Sequence, residues 1–187
     1  MKIIFSPFFG NHVFIDLDKK GSVIGQKYAG SQELVGELRL RSGLTSVLPD
    51  SMERTAQYMK AIRSTFKENK GSHAEIFRSS FGKDELGVAM TLLGWRDALV
   101  GLGWNPSDYT KSQKLNALMD IEKHFDCAGV ADCKRELLEK LQAGQADLSG
   151  ITIESVLPEG MVPCYFAALL SAAHKCGAEV VYSPAPS

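Results

Sequence analysis

The chain has 187 residues, room for one domain or one domain carrying a small subdomain. With 44% hydrophobic and 23% charged residues it falls in the ordinary globular range, which excludes collagen-like, disordered and disulfide-scaffold classes. Its 21 Lys and Arg against 22 Asp and Glu leave a net charge of −1, so no basic footprint for nucleic acid or an anionic membrane is present.

Residues 1–30 read as strands: Ile3-Ile4-Phe5, Val13-Phe14-Ile15 and Ser22-Val23-Ile24, with a hairpin turn at Asp18-Lys19-Lys20-Gly21. From Gly30 the period turns helical. A first helix is expected from Ser31, as N-cap, to Gly43.

About a hundred helical residues follow, a bundle-like subdomain over roughly 50–145. Asp50 or Ser51 caps a helix with Met52, Ala56, Met59, Ile62 and Phe66 on its apolar side, ending near Asn69-Lys70-Gly71. A second runs over about 84–102, with Leu86, Ala89, Met90, Leu93, Ala98 and Leu99 facing inward and Gly103 closing it. Two more are expected over about 111–124 and 132–143.

The last forty residues return to alternating structure. Ile151-Thr152-Ile153-Glu154-Ser155-Val156 is β-branched and alternating, hence a strand. Residues 162–175 form a helix apolar nearly all round, and Ala178-Glu179-Val180-Val181-Tyr182 a second strand. Strand, crossover helix and strand make a βαβ unit with two parallel strands. The fold class is therefore α/β, a partly parallel sheet with a βαβ unit at the C-terminal end and a helical bundle inserted in the middle. The abrupt stop at Ser187 just after a core strand suggests a single α/β domain over 1–187 that is an N-terminal fragment of a larger protein.

The chain lacks a signal-peptide pattern at Met1-Lys2-Ile3-Ile4, and its longest apolar run, residues 161–173, is too short to span a bilayer. Four cysteines, Cys127, Cys133, Cys164 and Cys176, read as reduced thiols, and a cytoplasmic location follows.

Gly25 and Gly30 have the G-x-x-x-x-G spacing of a phosphate-cradling loop, set between a strand and a helix. The places that need Lys and then Ser or Thr hold Ser31 and Gln32 instead, so this is at most a degenerate nucleotide loop. His124, Cys127 and Cys133 lack the spacing and the fourth ligand of a zinc site. Asp16 and Asp18, beside two lysines, read as a solvated turn, and no nucleophile-elbow, zincin or dinucleotide motif occurs. Neither a catalytic residue nor a metal or cofactor is assigned on these grounds.

The most distinctive stretch is Asp84-x-Leu86-Gly87-x-Ala89, then Leu92-Leu93-x-Trp95-Arg96-Asp97-x-Leu99, then Gly103-Trp104. By residue type the two tryptophans anchor a helix, and at about 100° per residue they point to opposite sides, one into the bundle and one against another layer.

This stretch, with the opening run from Gly30 to Leu38 and Arg41-Ser42-Gly43-Leu44, resembles the N-terminal region of bacterial PD-(D/E)XK nuclease family proteins, similar to the AddB-type helicase–nuclease subunit and the exodeoxyribonuclease V gamma subunit. The resemblance implies a helicase-like first domain that has lost its ATPase residues, with the nuclease far downstream. It implies a non-catalytic role in DNA repair and recombination. Partners would be the rest of a larger protein or a partner helicase subunit, with DNA met only through the full-length protein. The alternatives are a free-standing small α/β enzyme or ligand-binding protein using Leu157-Pro158-Glu159-Gly160 at a strand-end crevice, or an interaction adaptor.

Overall fold

The structure, a computed structural model, describes residues 1–9, 25–44, 48–68, 71–106 and 110–184. The expected strands at 13–15 and 22–24, the turn at 18–21 and the Asp16 and Asp18 pair lie outside these. The chain divides into two compact units, Met1–Ser46 with Glu136–Ser187, and Val47–Arg135.

Among the described residues, the first unit forms a four-stranded, all-parallel sheet. Strands β1 (Lys2–Phe5), β2 (Gln26–Ala29), β3 (Thr152–Ser155) and β4 (Glu179–Tyr182) stand in the order β2-β1-β3-β4. The chain leaves β1 toward β2 on one side and returns to β3 on the other, so the strand order reverses between β1 and β3. Register follows side-chain alternation. Ile3 pairs with Ile153, and Phe5 with Ala29 and Ser155; Ile3, Phe5, Ile153, Ala29 and Ser155 are all buried. The opposite row carries Lys2 and Glu154, which form an ion pair, and Thr152, whose Oγ1 donates to Glu179 at 2.9 Å.

Helices α1 (Ser31–Arg41) and α7 (Cys164–Lys175) contribute Leu34, Leu38, Phe166, Leu169 and Leu170 to the core of this unit. Phe5 and Phe166 meet with ring centroids 5.1 Å apart. Gly30, not Ser31, precedes the first turn of α1, and a Cβ there would lie 2.0 Å from the backbone carbonyl of Phe9, so the position needs glycine.

The second unit holds α2 (Ser51–Glu68), the short α3 (Arg78–Phe81), α4 (Glu85–Gly101) and α5 (Gln113–Glu122). Its core gathers Tyr58, Ala61, Ile62, Phe81, Leu92 and Leu118. Asp50 caps α2 through its Oδ1, which accepts from the N–H groups of Met52 and Glu53 at 2.7 and 2.8 Å. Helix α6 (Val130–Gln142) begins in this unit, but its later leucines, Leu137 and Leu141, belong to the sheet unit's core. The helical unit therefore stops earlier than the expected limit near 145.

Two buried faces differ from expectation. On α2, Met52 is 62% exposed, and Arg54, Thr55, Tyr58 and Ala61 turn inward. On α4, Leu86, Met90 and Ala98 are exposed, and Leu92, Arg96 and Val100 join Ala89 and Leu93 inside. The cause is the same in both helices: a buried arginine lies on the inward stripe, and a reading by apolar period rejects arginine from a core.

Candidate functional site: a buried arginine–carboxylate cluster

Arg96 and Asp97 of the tryptophan-containing stretch sit at the centre of a charged cluster inside the helical unit. Arg96, 5% exposed, donates from Nη1 and Nη2 to both oxygens of Asp132 at 2.5 and 2.7 Å. Its Nε and Nη2 donate to Glu122 at 3.1 Å, and Nη1 reaches Asp97 at 3.0 Å. Arg54, 7% exposed, binds both oxygens of Asp97, reaches Asp132 at 3.5 Å, and donates from Nε to the Cys127 carbonyl at 3.1 Å. Both guanidinium groups lie over the ring of Phe125, at 5.5 and 5.6 Å from its centroid. Phe125 in turn meets Tyr58 edge-on at 4.8 Å.

Helix geometry explains how the cluster assembles. Arg54 and Tyr58 are one turn apart on α2, Arg96 follows Leu92 by one turn on α4, and Asp132 opens α6. Asp132 also accepts the Gly129 N–H at 2.8 Å, which ties the start of α6 to the cluster. A side chain at Gly129 would collide with Arg54, its Cβ lying 2.4 Å from Cζ.

Arg135 Nη2 also reaches Asp132, at 3.4 Å, so three guanidinium groups meet three carboxylates. Burial opposes the charge on Asp132, yet hydrogen bonds from Arg96 and Gly129 outweigh it and hold the carboxyl below its ordinary value. At Glu122 burial prevails, aided by repulsion from Asp132 and Asp97, and its carboxyl rises despite Arg96. Burial penalises the charge on Arg96 too, but its bonds to Asp132 and Glu122 push its pKa up, so it stays protonated.

A lowered native pKa means that Asp132 contributes stability above its unfolded value, which is lost as pH falls through the native one. Asp132→Asn should therefore be less stable than the parent at neutral pH, with a flatter loss of stability below about pH 4. Urea midpoints measured from pH 3 to 7 check this.

These groups can hold helices in place. Nothing here offers a nucleophile, and every carboxylate is engaged by guanidinium. Among the described residues, no group of three or more His, Cys, Asp or Glu is arranged to hold a metal ion. Compared with protein-family models, curated proteins and solved structures, the chain matches none.

The remaining residues of the stretch serve α4. Asp84 caps it, Oδ1 accepting the Gly87 N–H at 2.8 Å, and a Cβ at Gly87 would lie 2.1 Å from that carboxylate. Gly103, at φ +89°, ends it: the Gly103 and Trp104 N–H groups donate back to Val100 and Leu99 at 3.0 and 2.9 Å.

The tryptophans differ from the expected arrangement. Trp104 lies past the helix end, so helical angles do not relate it to Trp95; it packs against the helical core with its buried Nε1 unpartnered. Trp95 is 43% exposed, edge-on to Phe77 at 6.4 Å and 5.6 Å from Lys114 Nζ. Trp95→Ala should cost about 1 kcal/mol, one aromatic pair, rather than the 3–5 kcal/mol of a buried tryptophan. A urea titration reads the difference.

The four residues between Gly25 and Gly30 are strand β2, hydrogen-bonded along β1, so no loop exists there to wrap a phosphate. Ser31 Oγ donates to the Pro7 carbonyl at 3.2 Å, and Gln32 is exposed.

At the C-terminal ends of the strands, three serines bond to nearby backbone. Ser6 Oγ accepts from the Phe8 N–H, Ser155 Oγ bonds both the N–H and the carbonyl of Leu157, and Ser183 Oγ donates to the Ser155 carbonyl. His124 Nε2 lies 3.8 Å from Glu68, and burial raises the Cys127 thiol, against thiolate chemistry.

Sequence reasoning missed Arg54, Glu122, Gly129 and Asp132. A signal was present: Arg54 shares its helix stripe with Tyr58 and Ala61, and Arg96 with Leu92 and Val100, as a buried cation must.

Proposed function

We propose that this chain is a non-catalytic, helicase-like module of a DNA repair and recombination protein of the helicase–nuclease kind, acting in the cytoplasm as a scaffold. One observation carries the reading: the residues through which the chain resembles that family cap, end and ion-pair a helix inside a helical unit inserted into a parallel α/β unit. Asp84, Gly87, Arg96, Asp97 and Gly103 all have such a duty. Their chemistry suits holding a shape. The partner would be the remainder of a larger protein or a helicase subunit, with DNA reached through that assembly. The near-zero net charge fits weak DNA contact by this chain alone.

The expected biochemical result is no ATP hydrolysis and no DNA cleavage by the purified chain with Mg²⁺ or Mn²⁺. Turnover that disappears on changing Ser31 would overturn the non-catalytic part. The cellular test is deletion of the coding region, which should sensitise cells to double-strand breaks. A deletion strain as resistant as its parent would overturn the repair role.

A further inference from the structure

We draw no further inference here: the strongest candidate, the sheet face that carries the exposed Tyr28 and Val181 on the side away from the buried Ile3 and Phe5, carries nothing because no described residue shows what covers it.

Discussion

Arg96→Met should destabilise the helical unit by about 3–5 kcal/mol at neutral pH, the usual cost of removing one partner from a buried ion pair. The substitution keeps much of the side chain's length, so lost charge outweighs lost volume. It leaves Asp97 to Arg54 and Asp132 to Arg54 and Arg135, and takes from Glu122 the guanidinium that binds it. Without Arg96 the native pKa values of Asp132 and Glu122 must rise. A raised carboxylate contributes stability below its unfolded pKa and loses it as pH climbs through the native one. The deficit of the variant should therefore be largest near pH 7 and shrink on acidification. Hydrogen exchange gives the readout by element: amides of α4 and α5 should lose protection, and those of β1 and β3 should keep theirs. A variant as protected as the parent across α4 would mean that the cluster holds nothing together.

Phe5→Ala is the counterpart in the sheet unit, with an expected cost of about 3–5 kcal/mol. Phe5 is 0% exposed at the end of β1, flanked in register by Ala29 and Ser155 and packed at a tilt against the ring of Phe166 of α7. Removing the ring opens a cavity beside a central strand, and the short neighbours Ala29 and Ser155 cannot reach in to fill it. Protection should fall in β1, β3 and α7. Phe5→Leu, which refills most of the volume, should recover more than half of the loss in a urea titration.

Much of the architecture was legible in the chain itself. Alternation at Ile151 to Val156, the apolar helix after it and the strand at Glu179–Tyr182 specify a βαβ unit, and β3 and β4 do pair in parallel. The polar, periodic middle specifies helices, and four of the elements appear within a few residues of their expected limits. These signals are local: period, caps and breakers act over a turn or two.

What tertiary structure alone decided is which side of each helix faces in. Apolar period places Met52, Leu86 and Met90 inside and leaves Arg54 and Arg96 in water. The fold reverses this, because Asp97, Glu122 and Asp132, scattered over three helices, converge on the two guanidinium groups and offset the cost of burying them. No spacing within one helix encodes that convergence. The same holds at Gly25 to Gly30, where glycine spacing suggests a phosphate loop. Pairing with β1, a strand more than twenty residues away, draws the intervening residues into the sheet instead. Partners distant in sequence supply the hydrogen bonds and charges that override a local pattern, and only the folded chain brings them within reach.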